Sequence, residues 1–532
     1  MRRRDYLRST AAGLGLAGLP ALPAAGADAS PSSDAQSAAD STASATARTR
    51  ETLTPLARLP VTSDSGAYQA TEAVAAPDGQ HVFVSKLTGF HAVDVSDPEN
   101  PEVVATVEDI LADDGGPMRS IYDLKYSRGR LLVASNSGRP YAGVALFDVR
   151  DPADPRLLRH HETTYGIHNC FLYGDHAYLT TGSSLEVVDV GSREPERVGG
   201  WDLTDHNANY EYVSSFAVNL HDMYVQDDRA YLAYWDAGTW ILDVSEPAEP
   251  SHLGHVSDFD VEDLATGGGS LTAPPGNDHY VQPSDDGTLL AVGKESWAVT
   301  DGDDSEPEGG PSGVDLYDVA DPADPTHLAT IDPPPVPEGE SGSYVNGYWT
   351  TAHNLDIVGD SLYSSWYRGG VKVHDVSDPA EPEEVGSWAD GERAEFWTAR
   401  AGVPGDFFIA SSLRHPTDRE EPGALYVFSD PSDNDASVTP IGPDVEIATP
   451  TPGGTATPAE TPTGTPSSTP TPTETPSPTP TPTETPTSAP APAPTETPTT
   501  VDEDGPGFGV LAALGALGAG AVRAVRGDDP DE

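Results

Sequence analysis

Four histidines stand at matching places along this chain. His168, His221 and His353 lie 21 or 22 residues ahead of an Asp-Val pair, at Asp189, Asp243 and Asp375. His279 lies 39 residues ahead of Asp318, the extra length falling in an insertion over residues 298–313. Neutral imidazole is a good ligand for Fe, Cu, Zn or Ni, so four of them at one level make a candidate transition-metal centre. Asn169, Asp222 and Asn354 follow three of the histidines and are placed either to orient the rings or to cap the loops entering the strands. Two other readings of the four histidines stay open. They can be hydrogen-bonding residues that tie one repeat to the next, or they can contact a ligand without a metal. Tyr122 holds the same place one copy earlier.

Other chemistry has less support. The one cysteine, Cys170, sits in an apolar run and reads as a buried thiol; no intramolecular disulfide can form. The loop Asp301–Glu306 is rich in carboxylates but lacks the glycine and terminal glutamate of a calcium hand, so it reads as a solvated acidic loop. His160-His161 reads as an exposed strand pair. No P-loop, dinucleotide fingerprint, Gly-x-Ser-x-Gly elbow or His-Glu-x-x-His is present, which removes the usual supports of nucleotide-binding and hydrolase classes.

The elements that must position the histidines are repeats. An apolar strand ending in Asp-Val and followed by an Asp/Glu-Pro turn recurs, as at Ala92–Pro98, Leu146–Pro152, Ile241–Pro247, Leu316–Pro322 and Val373–Pro379. Val187–Val190 carries the strand alone, and Leu425–Pro431 is a degenerate seventh copy. The strand-end aspartates step by 54, 41, 54, 75 and 57 residues, a period that suits one four-stranded propeller blade per copy. In the sixth copy the strands are expected at His353–Val358, Leu362–Trp366, Val371–Val376 and Glu384–Trp388. The repeated Asp reads as a turn former that accepts backbone N–H groups, not as a functional acid. Leu53–Val61 looks like an outer strand without inner partners and is expected to complete the last blade, leaving no sheet edge open. The phrase Asp-Val-Ser-Asp-Pro-x-x-Pro resembles the LVIVD repeat over roughly residues 52–440. That resemblance implies a β-propeller and no settled activity.

The two ends read as addresses. Residues 1–29 resemble a twin-arginine export signal: Arg3 and Arg4 stand before Asp5-Tyr6-Leu7, then a short apolar stretch and Ala-x-Ala spacing follow. Residues 30–51 read as a disordered linker. Residues 448–504 are a Thr/Pro/Ser-rich stalk that cannot bury a core and is expected to be extended and disordered. Residues 505–532 carry Pro506-Gly507-Phe508, an apolar run and two arginines, and resemble the PGF-CTERM sorting tail of archaeal surface proteins. That resemblance implies cleavage by an archaeosortase and a lipid anchor. No Asn-x-Ser/Thr sequon occurs.

The formal net charge is −58, with only four lysines in 532 residues. Such a surface repels phosphate backbones and excludes nucleic acid as a partner. Its self-repulsion needs screening by high salt, the style of haloarchaeal proteins. The expected architecture is therefore all-β: a seven-bladed propeller over residues 52–447, carried on a stalk and anchored through the C-terminus at the archaeal cell surface. The expected function is a binding or scaffold role toward a protein, glycan or envelope component. The alternative is a surface metalloenzyme of oxidoreductase type, with His168, His221, His279 and His353 as ligands.

Overall fold

The computed structural model describes residues 50–62, 69–270, 273–297, 310–344, 347–418 and 421–445. The leader, the stalk, the sorting tail and the Asp301–Glu306 loop lie outside them. Seven four-stranded antiparallel sheets follow one another as the blades of a β-propeller. Their inner strands, in blade order, are Ala70–Ala75, Leu124–Ser127, Cys170–Tyr173, Asp222–Gln226, Asn277–Pro283, Leu355–Val358 and Phe396–Val403. Among the described residues no helix is long and apolar enough to cross a membrane.

The ring closes through its earliest described strands. Pro55–Pro60 pairs antiparallel with Ala424–Ser429 and supplies the outer strand of blade seven. Glu51–Thr52 adds, unexpectedly, a fifth strand to blade six, running parallel to Glu383–Trp388. Two edges are thereby covered by chain far away in sequence, which ties the first and last blades together.

Blade six is built from Leu355–Val358, Ser361–Ser365, Val371–Asp375 and Glu383–Trp388. His353 and Asn354 therefore lie in the approach to the inner strand, not in it. Six strand-end aspartates each accept the backbone N–H two residues on, for example Asp94 from Ser96 at 2.8 Å, Asp243 from Ser245 at 2.9 Å and Asp375 from Ser377 at 2.9 Å. They are turn formers, because a short carboxylate satisfies a donor that the ladder has left free.

The core lies between blades. Phe171, Tyr178 and Val187 of blade three pack with Met223, Leu232 and Trp240 of blade four, all buried. Both faces of a blade are covered, so its strands need no strict polar alternation. Every outer strand also carries one bulge just after its start, as between Leu157 and Arg159. The bulge bends the strand around the rim. Blades approach closely there: a Cβ on Gly254 would stand 1.7 Å from the Pro322 carbonyl oxygen of blade five.

Candidate functional site

The inner strands all enter the channel from one end, and the four histidines stand at that entry. His168 and His353 precede their strands by two residues, His221 by one, and His279 sits at a bulge inside its strand. Their neighbours complete a circle. Tyr122, His168, His221, His279, His353 and Trp397 contribute one ring each from blades two to seven. Successive ring centroids are 5.6, 4.8, 3.7, 4.9 and 4.2 Å apart, and Trp397 returns to Tyr122 at 6.0 Å. The circle opens on a cavity of about 300 Å³, lined further by Trp235, Trp297, Tyr367 and Glu295.

The histidines differ in their hydrogen bonds. His221 Nδ1 lies 3.0 Å from the His279 carbonyl oxygen, and His353 Nδ1 lies 2.6 Å from that of Trp397. A carbonyl only accepts, so Nδ1 carries the proton in both rings and the Nε2 lone pair is left free. His279 is buried, yet neither of its nitrogens has a hydrogen bond of good geometry; Nδ1 lies 3.2 Å from Glu295 Oε2. Burial holds His353 down to about 3 and His168 to about 4, and pushes His221 and His279 well below the usual imidazole range. All four rings are neutral near pH 7. Burial also pushes the Glu295 carboxyl up to about 8, against the pull of the Tyr367 hydroxyl, which donates to Oε1 at 2.7 Å.

The four histidines do not share one focus. A nitrogen of His279, a nitrogen of His353 and an oxygen of Glu295 lie within 4.8 Å of one another, while His168 and His221 continue the circle away from them. Glu295 was invisible in the sequence because it ends a second strand, where the repeat has no fixed residue. Trp397 occupies in blade seven the place Tyr122 holds in blade two and was legible by that analogy. Trp235 and Tyr367 hold left-handed backbones, φ 32° and 40°, conformations that bulky residues rarely adopt. Each follows a second strand and turns its ring to the cavity; strain of this kind clusters at functional sites.

One level below, the channel changes character. Glu72 Oε1 accepts from Arg400 at 2.8 Å, and Oε2 accepts from Asn354 at 2.6 Å. Lys125 pairs with Asp123, which also accepts the backbone N–H of Cys170 at 2.8 Å. Arg400 reaches Tyr280 Oη at 3.1 Å. Burial works to raise Glu72, but Arg400 and Lys125 hold it below the usual carboxylate range. Cys170 is buried, and burial beside Asp123 pushes its thiol well up, so it is inert.

The far end is covered by chain. After blade seven, residues 431–443 run beneath the ring. Asn434 Nδ2 donates to the Val358 carbonyl at 2.6 Å, the Ser127 hydroxyl donates to that of Ile441 at 2.8 Å, and Arg128 reaches Gly442 and Asp444. Ser127 ends an inner strand, and Gly174 and Gly359, in the turns leaving two others, lie against Pro443 and Asn434, so this strap lies at the end opposite the histidines. Val438, Thr439 and Ile441 line the remaining hollow there.

Fold and site define the class: a seven-bladed β-propeller with a histidine-ringed cavity at one end of its channel. The LVIVD repeat family matches residues 219–258 and 351–390, which are blades four and six. His221 and His353 each fall two residues after the start of a matched repeat. No curated protein matches the chain. Among solved structures, the β-propeller domain of Myceliophteria thermophila Cps50 (Swd1) is similar with a TM-score of 0.47 and 11 % identity, over 70 % of this chain and 98 % of that one.

Proposed function

We propose that this protein is a cell-surface binding propeller whose site is the channel-end cavity, with a transition metal held there by His279, Glu295 and His353. The observation that carries the reading is a buried His279 whose nitrogens make no well-formed hydrogen bond among the described residues, Nδ1 standing 3.2 Å from Glu295 Oε2, with His353 beside them. An unpartnered buried polar group costs about 1–3 kcal/mol, a cost that ligation removes. The His353 ring is already set for it, since a metal-binding imidazole usually donates its other N–H to a carbonyl or carboxylate. Two nitrogens and one oxygen suit Fe, Zn, Cu or Ni. His168 and His221 extend the lining toward whatever ligand the metal or the aromatic rings hold.

The surface location rests on Arg3 and Arg4 of the leader, the Thr/Pro stalk and Pro506-Gly507-Phe508. The last described residues, around Asp444, lie on the strap side.

Full-length protein purified in high salt is expected to carry a channel-bound equivalent of metal, lost in His353→Ala and Glu295→Gln, with a melting temperature that falls on chelation. A metal-free protein with unchanged melting in chelator would refute the metal centre. A second reading, a surface oxidoreductase, draws on Tyr367 and three tryptophans around the candidate ion; it requires turnover of a small molecule that ceases in His353→Ala. Replacing Arg3 and Arg4 by lysine is expected to retain the protein inside the cell.

A further inference from the structure

A second histidine group lies outside the channel, on the rim of blade four. His252 and His255 belong to its outer strand, Ser251–Val256. The bulge at Leu253 brings residues three apart onto one side, so that His252 Nε2 lies 3.2 Å from His255 Nδ1. His206 ends the helix Leu203–His206 in the insertion between blades three and four. Its ring centroid is 4.2 Å from that of His252 and 5.7 Å from that of His255. One nitrogen from each of the three rings lies within 4.8 Å of the other two.

Both supports are rigid. Asp202 accepts from Thr204 N–H at 2.8 Å, and Asp205 accepts from Asp202 N–H at 3.0 Å, a reciprocal cap that fixes the helix carrying His206. Trp240 lies flat against His255, with centroids 4.0 Å apart and planes 3° from parallel.

We propose that His206, His252 and His255 form a second transition-metal site, of the kind that takes Zn²⁺ or Cu²⁺, independent of the channel. A tetrahedral ion with bonds of about 2.0–2.1 Å holds its ligand nitrogens about 3.3 Å apart. His252 and His255 already stand at that separation, and the exposed His206 ring needs only a small swing to join them. Three imidazoles leave a fourth position open, the pattern of sites that keep a water or a substrate on the ion. His206 and His255 both line a cleft of about 920 Å³ that runs from blade four to blade five. Its far wall carries Lys294, paired with Asp258 at 2.7 Å. The open position therefore faces a space able to admit a small molecule.

The test is a Cu²⁺ titration of the full-length protein in high salt, read by bound-copper count and by nitrogen hyperfine coupling in its EPR spectrum. His206→Asn, His252→Asn and His255→Asn are each expected to weaken one equivalent more than about tenfold and to reduce its nitrogen count. Two of the three side chains are exposed, and metal-free unfolding midpoints verify that the variants fold. His353→Asn, which breaks the channel site, leaves this equivalent in place, so the two sites fail separately. Copper binding and hyperfine coupling unchanged in all three rim variants would overturn the proposal.

Discussion

Two adjacent levels of the channel are built from neighbouring repeat positions and yet are opposites. At the open end the ring Tyr122, His168, His221, His279, His353 and Trp397 is neutral and aromatic, and His279 is left without hydrogen bonds. One residue after the ring positions of blades two and six stand Asp123 and Asn354, and Glu72 holds the matching place in blade one; they are joined to Arg400 and Lys125 in a network whose charges are paired. Below that, the strap covers the exit. The contrast separates two tasks. The lower level ties together inner-strand segments of six blades, while the upper level leaves His279 without a well-formed hydrogen bond among the described residues.

The sharpest way to break this comparison is at Arg400. Arg400→Met strands the buried Glu72 carboxylate, and an unpaired buried charge costs about 3–5 kcal/mol. Denaturant unfolding in high salt is expected to show that loss; a change below about 1 kcal/mol would mean that the network does not hold the ring together.

A pH experiment comes next, at a histidine away from both ends. His374, inside blade six, is held by burial at about 3. An unfolded histidine titrates near 6.5, so the unfolded chain binds the extra proton as pH falls between those values. Stability is thus lost on acidification from pH 6.5 toward 4. His374→Leu is expected to lose less than the parent over that range, by on the order of 3 kcal/mol. Parallel pH curves for the two proteins would show that desolvation does not keep this ring neutral, and would weaken the same argument for the channel rings.

At the open end the sign reverses. His279→Phe keeps the stack on His221 and removes two unpartnered nitrogens. In chelator it is expected to be as stable as the parent or more stable by about 1 kcal/mol. A loss of more than about 1 kcal/mol would assign His279 to the structural level instead. The smallest effect is expected in the strap: Asn434→Ala removes the bond to the Val358 carbonyl and costs about 1 kcal/mol, measured as a shift in unfolding midpoint with metal binding unchanged.

Sequence alone carried the blades a long way. The Asp-Val and Asp-Pro phrases repeat because each blade needs the same turn, and a turn is a local event in which a carboxylate meets an N–H two residues away. The seven blades and the closing role of Pro55–Pro60 were legible for that reason. Equivalent positions in a closed ring must converge, so four regularly spaced histidines were bound to stand at one end of the channel.

What the sequence could not rank was which of them share a focus. That depends on the bulge at His279, on the turn that aims Tyr367 inward at φ 40°, and on Glu295, which has no counterpart in the repeat. The rim group of His206, His252 and His255 was hidden for a related reason. One histidine comes from an insertion, and the other two face the same way only because a bulge breaks the alternation of the strand. Local hydrogen bonding determined the repeat, its turns and the ring. Tertiary structure decided which side chains meet, because that depends on angstrom-scale distances between residues that the chain brings together from different blades.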